Sequence, residues 1–387
     1  MNVLMFSIDD RLFLPESEVR ERIRHYGRLF DFLWIVVFTR RDREPQSMGP
    51  NIFLYPVAAG LNPLNFFKAY FLGSRILKKA GPHTVITSQD AFSNTVAFFL
   101  KWRYRLTLQV QIHTDFLAPS FRWESLKNLL RYLIYRWSAK RADCIRVVSE
   151  RIRRSLISHF PFLISRIVVL SIFVDVQKIA AAVPAFDLRE RHRGFHPIIL
   201  MVGRLTREKN FGLALEIISE LAEEFPKLLL VIVGEGPERD KLKVKSQPRR
   251  PKGSGLRPEA SGKLKVADYV RFEGWQQDLI PYYKGADVLL VTSRYEGYGR
   301  MLVEAAAAGL PIVTTEVGIV GETFRPEESV LVFSFREGGV SALKRIITDH
   351  DLRSRLRENA RQAVSEVGDL QKYLGAYRAA LAGCRKQ

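Results

Sequence analysis

Two carboxylates eight positions apart, Glu296 and Glu304, lie in the stretch 293–318, SRYEGYGRMLVEAAAAGLPIVTTEVG, with Gly297 and Gly299 between them. Glycines in such a loop let its backbone come close to a ligand, because no side chain intervenes and unusual dihedrals are tolerated. The helix expected over 300–308 aims its free N–H groups and the positive end of its dipole at whatever occupies the loop, which suits a phosphate. Earlier in the chain, Gly203-Arg204-Leu205-Thr206-Arg207-Glu208-Lys209-Asn210 brackets a second loop with two cations, Arg204 and Lys209. Two cations beside a helix start can neutralise a diphosphate. A third position, His113, follows the apolar run 106–112 and precedes Thr114 and Asp115. A titratable side chain at the carboxyl end of a parallel strand lies where such sheets bind ligands. Each feature also has a plainer reading: a loop acid with an exposed helix acid, a solvated basic turn, and a histidine satisfied inside a strand–loop junction.

The elements that position these residues alternate along the whole chain. Strands are expected at 3–7, 32–39, 52–57, 84–88, 106–112, 144–149 and 167–172, with helical patterns between them at 64–79, 91–103 and 125–140. Ser17 is placed to cap a helix that carries Val19, Ile23, Tyr26 and Phe30 on one face. A second alternation starts at 198–202 and continues through a helix at 211–224 and strands at 228–233, 269–273, 286–292 and 311–315; helices close the chain over 340–347, 351–367 and 371–382. Buried strands separated by helices predict α/β domains, each a parallel sheet covered on both faces. The domain expectation is 1–176, a linker over 177–197, then 198–370, and a last helix in 371–387.

Three segments depart from that plan. In the helix 125–140, Leu126, Leu129, Leu130, Leu133, Ile134 and Trp137 form a stripe expected to face the core, which puts Tyr132 and Tyr135 outside among Lys and Arg side chains. That outer face, with Lys68, Arg75, Lys78, Lys79, Lys101, Arg103 and Arg105, suits an anionic lipid surface. Residues 241–265, KLKVKSQPRRPKGSGLRPEASGKLK, read as a mobile basic insertion. The loop after the first strand, 8–13, carries Asp9, Asp10 and Arg11 and has no G-x-G-x-x-G, which weakens a hydride-transfer reading.

Composition sets the outer bounds. At 387 residues, two domains are expected, and 47% hydrophobic content excludes wholesale disorder. The formal charge of +19 calls for an anionic partner: nucleic acid, a phosphorylated ligand or an anionic membrane surface. Cys144 and Cys384 are too few for a disulfide framework, which fits a reducing cytoplasm. The first residues read as a buried strand rather than a signal peptide, and no apolar run is long enough to span a bilayer.

The run E-G-Y-G-R-M-L-V-E-A from Glu296 resembles the E-x7-E signature of the retaining nucleotide-sugar glycosyltransferases of family four, also called group 1, which have the GT-B fold. The segment from Gly203 to Asn210 resembles the same family's G-R-L-x-x-x-K-N segment, Gly234 to Pro237 its G-x-G-P turn, and 269–275 the strand and turn that meet the nucleotide base. The resemblance implies two Rossmann-like parallel-sheet domains facing a central cleft, with the last helix crossing back to the N-terminal, acceptor-side domain. It implies a nucleotide-diphosphate sugar as donor, UDP- or GDP-linked, bound by the C-terminal domain beside Gly203. Arg204 and Lys209 would hold the diphosphate, Glu304 the ribose hydroxyls and Glu296 the donor sugar. Backbone amides of Gly297, Tyr298, Gly299, Arg300 and Met301 would lie near sugar and phosphate, and His113 close to the transferred sugar.

The same resemblance implies retention of configuration with neither metal nor cofactor. It also implies a glycan or lipid-linked acceptor of surface polysaccharide synthesis, and a cytoplasmic protein peripheral to the inner face of the membrane. The family commonly has a glycine-containing loop where this chain has Asp9 and Asp10. A nucleotide-sugar epimerase of the same fold, a basic nucleic-acid-binding protein and a non-catalytic scaffold are the alternatives.

Overall fold

The computed structural model describes residues 1–58, 63–246 and 266–385. The chain divides into two compact units, Met1–Ser171 with Leu370–Gln387, and Ile172–Asp369. Each is built on one sheet.

The first unit holds β1 (Asn2–Ser7), β2 (Leu33–Thr39), β3 (Gln46–Gly49), β4 (Ile52–Ala58), β5 (Thr84–Ser88), β6 (Thr107–Ile112), β7 (Cys144–Val147) and β8 (Ile167–Val169). Their order across the sheet is β3-β4-β2-β1-β5-β6-β7-β8, parallel except where β3 runs against β4. In β1, Val3 lies opposite Leu33 on one side and Val85 on the other. Val3, Leu4, Met5 and Phe6 are all fully buried, because β1 lies in the middle of the sheet and helices cover both of its faces. The edge strand β3, QSMG, was not expected: it has no apolar run, and its register slips between Ser47 and Gly49.

The helix Leu126–Ala139 corrects the sequence reading. Ser125 caps it by accepting from the Asn128 N–H (3.1 Å), but its buried face is Asn128, Tyr132, Tyr135, Ser138 and Ala139, while Leu126, Leu130 and Leu133 face outward. Partner chemistry decides the orientation. The Tyr135 ring stacks on Phe116 (4.9 Å), Arg136 Nη1 donates to the Tyr132 hydroxyl (2.8 Å), and Asn94 Nδ2 donates to Ser138 Oγ (3.2 Å). A tyrosine buries its ring readily once its hydroxyl has a partner.

The C-terminal helix Leu370–Ala382 packs into this unit rather than the second. The Tyr377 ring stacks on Tyr26 (4.2 Å), the hydroxyls of Tyr26 and Tyr373 share a hydrogen bond (2.8 Å), and Gln109 Nε2 donates to the Ala380 carbonyl (3.1 Å). Arg146, buried on β7, donates to the Tyr373 hydroxyl (3.1 Å) and to Gln111 Oε1 (2.8 Å). Cys144 and Cys384, too few to suggest a framework, are joined in a disulfide that ties the end of the chain to β7.

The second unit holds β9 (Ile198–Val202), β10 (Leu229–Val233), β11 (Val270–Gly274), β12 (Val288–Val291), β13 (Ile312–Thr315) and β14 (Leu331–Phe333), all parallel, in the order β11-β10-β9-β12-β13-β14. Ile199 pairs with Leu230 on one side and Val288 on the other. The direction of winding reverses between β9 and β12, so a crevice opens beyond their carboxyl ends. The segment 177–197, read as a linker, is part of this unit. It contributes to the helices Val176–Ala181 and Leu188–Arg191, buries Leu188, and pairs Arg189 with Asp287 (2.5 Å) and Arg191 with Glu273 (3.1 Å). Its charges are matched by acids of the second sheet rather than by solvent alone. Residues 241–246, read as the start of a mobile insertion, belong to the helix Arg239–Ser246; residues 247–265 lie outside the described residues.

Tyr377 is 1% exposed. The Tyr377→Ala variant is expected to lose about 3 to 5 kcal/mol of stability in urea unfolding, the cost of emptying an aromatic site in a packed core.

Candidate functional site

Three loops at the carboxyl ends of β10, β9 and β12 form one backbone-bonded layer in the second unit. Gly203 N–H donates to the Val233 carbonyl (3.0 Å), Leu205 N–H to Glu235 (2.9 Å) and Glu238 N–H back to Leu205 (2.9 Å). A Cβ on Gly234 would lie 2.0 Å from the Gly203 carbonyl oxygen, and φ there is +144°. Only glycine allows two backbones to approach so closely at that dihedral.

The β9 loop then makes a short turn, Arg207–Lys209, closed by Asn210 in the left-handed conformation (φ +50°). That reversal folds the Lys209 side chain back over Gly203, where a Cβ would meet Lys209 Cε at 3.3 Å. Lys209 Nζ donates to Glu296 Oε1 (2.5 Å), and both side chains are mostly withdrawn from solvent. Ser293 Oγ donates to the same oxygen (2.7 Å). The two loops are sewn together further: Thr292 Oγ1 donates to the Lys209 carbonyl (2.9 Å), and the Arg294 N–H donates to the Glu208 carbonyl (2.7 Å). Arg204 behaves differently. Its side chain is 81% exposed and pairs only loosely with Glu208 at 3.7 Å, so it is an exposed cation at the rim.

Beyond Glu296, the Gly297-Tyr298-Gly299 backbone is supported from behind. Ile319 N–H donates to the Tyr298 carbonyl (3.1 Å), and Gly318 lies so close that a Cβ would be 2.3 Å from that oxygen. Gly299, left-handed at φ +84°, starts the helix Arg300–Ala307 without any side chain to cap it, and Met301 is half-buried in its first turn. Glu304 is buried on this helix. Arg300 Nε lies 2.6 Å from its Oε1, and the Tyr283 hydroxyl donates to its Oε2 (2.8 Å). Each carboxylate oxygen accepts more than one hydrogen bond, so Glu304 retains capacity for a hydroxyl donor.

Sequence reasoning missed Thr292, Ser293 and Tyr283. Ser293 stands three positions before Glu296, a spacing that a loop-stabilising hydroxyl would use, whereas the Tyr283–Glu304 contact joins separate elements and leaves no local pattern.

His113 belongs to the first unit, just past β6, and is half-buried. Its Nε2 is buried and has no hydrogen-bond partner among the described residues. Burial, reinforced by the positive charges of Arg146 and Arg22, pushes its pKa down to about 3, so the ring is neutral at physiological pH. Asp9 and Asp10 in the β1 loop do not form a bare acid pair. Asp9 pairs with Arg11 (2.7 Å); burial alone would raise its pKa, but the hydrogen bonds and charge of Arg11 outweigh that and hold it below the ordinary value. Asp10 accepts from Thr39 Oγ1 (2.6 Å) and lies within reach of Arg41 and Arg43.

The second unit therefore brings together Gly203, Lys209, Glu296 and the Gly297–Met301 backbone, with Arg204 at the rim and Glu304 on the following helix. This layer can neutralise an anion with lysine and arginine and accept hydrogen bonds from hydroxyls through two carboxylates. Among the described residues, no group of three or more His, Cys, Asp or Glu side chains could hold a metal ion.

Residues 196–349 match the model of the family "Glycosyl transferases group 1", and residues 20–172 that of the "Glycosyl transferase 4-like domain". Over 170 residues the chain is 29% identical to the lipopolysaccharide core biosynthesis glycosyltransferase LpsE of Rhizobium meliloti, covering 43% of this chain and 44% of LpsE. It is 33% identical over 142 residues to the mannosylfructose-phosphate synthase of Agrobacterium fabrum, covering 36% of this chain and 29% of that protein. The chain thus spans less than half the length of these two curated relatives. The fold extends over the whole molecule: HepE of Anabaena in complex with UDP-glucose superposes with a TM-score of 0.75 at 16% identity, covering 99% of this chain and 100% of HepE. Both sheets have the parallel α/β architecture of that fold, and the two family models follow each other along most of the sequence: the chain belongs to the group 1 glycosyltransferases of the GT-B fold.

Proposed function

We propose that this protein transfers a glycosyl group, with retention of anomeric configuration and without a metal, from a nucleotide-diphosphate sugar to a glycan or lipid-linked acceptor of cell-surface glycan synthesis. The observation that carries the reading is the Lys209–Glu296 pair beside Gly203 and the uncapped Gly299 turn. A UDP- or GDP-sugar offers a diphosphate for Lys209 and Arg204, ribose hydroxyls for Glu304 and sugar hydroxyls for Glu296. The UDP-glucose bound by HepE and the lipopolysaccharide core synthesis named for LpsE support a UDP-sugar and a surface glycan as the first candidates.

Breaking the anomeric C–O bond places negative charge on the departing diphosphate. Cations already fixed there stabilise the transition state more than the ground state. Lys209 is fixed by Glu296, itself held by Ser293, before any donor arrives, so little reorganisation is needed at the moment of reaction. Arg204, exposed and loosely paired, closes on the phosphates from the rim.

Lys209→Ala is expected to cost about 2.7 to 4 kcal/mol of transition-state stabilisation, a hundredfold or more in kcat with saturating donor, measured as released nucleoside diphosphate in the presence of acceptor. Near-normal turnover of this variant would remove Lys209 from the diphosphate site, and thermal stabilisation by UDP- or GDP-sugars identifies the donor for the assay. Donor consumed equally without any acceptor would instead mark an epimerase or a hydrolase.

The neutral state of His113 has its own consequence. Unfolded, the ring takes a proton near its ordinary pKa of 6.5; folded, it does so only near 3. Its contribution to stability is fully present above pH 6.5 and is lost progressively as pH falls toward 3. Between about pH 6 and 4 the protein is expected to lose about 1.4 kcal/mol per pH unit more than His113→Asn does in urea unfolding.

A further inference from the structure

The helix Leu126–Ala139, with its outward leucines, packs beside Ala91–Tyr104, which packs in turn beside Pro63–Ala80, and all three carry exposed apolar side chains. Leu126 is 86% exposed and Trp102 73%; Phe67, Phe71, Leu130 and Leu133 are exposed as well. Aromatic contacts fix the three helices side by side. Phe66 meets Phe99 edge-on at 5.9 Å, and Phe98 meets Trp137 at 4.5 Å. The apolar positions therefore form one surface spread over three helices. Soluble proteins rarely leave so many large apolar side chains together in water.

Charge says what covers it. None of the three helices contains an aspartate or a glutamate, while Lys68, Arg75, Lys78, Lys79, Arg103 and Lys127 are exposed on them. An apolar field with a rim of cations and no acids is complementary to a surface that is apolar within and anionic outside. That is the interface of a bilayer bearing anionic headgroups. Tryptophan, apolar with one polar N–H, is the side chain most at home at that depth, and Trp102 projects from the middle helix. No helix among the described residues is long and apolar enough to cross a membrane, so the contact is lateral.

We infer that this three-helix face is an interfacial anchor: it lies flat on an anionic lipid leaflet, with Leu126, Leu130, Leu133, Phe67, Phe71 and Trp102 inserted below the headgroups and the lysines and arginines on the lipid phosphates. The inference places the lipid contact on the opposite side of Leu126–Ala139 from the tyrosine face that the amino-acid pattern alone suggests. It does not depend on the donor site.

The test uses the purified full chain with vesicles of phosphatidylcholine alone and of phosphatidylcholine mixed with phosphatidylglycerol, read by co-sedimentation at low and high salt. Binding to the anionic vesicles is expected to exceed binding to the neutral ones by about tenfold or more and to weaken, without vanishing, at high salt, because burial of apolar side chains is not screened. The double variant Leu126→Glu/Leu133→Glu is expected to lose about tenfold or more of that binding. Its circular dichroism and its thermal stabilisation by nucleotide are expected to stay unchanged, since both positions are exposed and remote in sequence from the second unit. Vesicle binding equal in the variant and the wild type would overturn the anchor. So would a complete loss of binding at high salt, which marks purely electrostatic contact. A concentration-dependent dimer dissolved by the same variant, with no vesicle binding, would assign the face to a second copy and overturn the proposal too.

Discussion

The ion pair between Lys209 and Glu296 is the contact on which the second unit's site depends. It joins loops that follow strands on either side of the winding reversal, and it works only because each loop has already been shaped. Asn210 in a left-handed conformation turns the lysine back, and Ser293 holds the carboxylate in place. Two mostly buried opposite charges are costly to desolvate, and such a pair holds only when further hydrogen bonds satisfy the remaining atoms. The hydroxyls of Thr292 and Ser293 and the close backbone approach at Gly234 supply that support. The result is a cation presented to solvent-side ligands with its carboxylate partner already in place.

Much of this was legible in the amino-acid sequence, and for a physical reason. Strand and helix alternation follows from apolar runs and their breakers, which is why strands such as Thr84–Ser88 and the helix Phe211–Glu224 fall where the pattern puts them. Glu296, Lys209 and the glycines are likewise readable, because a phosphate-binding loop needs those residue types at close spacing. Arg204 and Lys209 look equivalent in sequence. The structure separates them into a rim cation and a locked one, since Lys209 donates to Glu296 at 2.5 Å with both side chains withdrawn from solvent, whereas Arg204 is exposed and meets Glu208 only at 3.7 Å. Tyr283 and Glu304 meet through tertiary packing, and no local spacing announces such a pair.

The helix Leu126–Ala139 shows where periodicity stops. A regular spacing of leucines reveals that a stripe exists, but not which stripe faces inward. Here two tyrosines, an asparagine and a serine take the interior, because Arg136 one turn on, Glu124 just before the helix and Asn94 of a neighbouring helix supply hydrogen-bond partners and Phe116 supplies a stacking surface. The polar residues gain specific partners by burial, and the leucines keep the outside. The two cysteines illustrate the same limit: nothing in their separation along the chain hints that β7 and the last turn are neighbours.

The return of the last helix makes the second unit an insertion within the first, since Ser171 and Leu370 flank it. During synthesis the first sheet is complete long before Tyr373 and Tyr377 leave the ribosome. At elongation rates of about 5 to 20 residues per second, the delay is on the order of 10 to 40 seconds. For that interval Tyr26 lacks its stacking partner and Arg146 lacks the Tyr373 hydroxyl that accepts from it. The nascent N-terminal portion thus exposes an aromatic and cationic seam that only the finished chain can seal. Final closure of the first unit is therefore coupled to successful completion of the second, an ordering imposed by chain topology before any substrate is present.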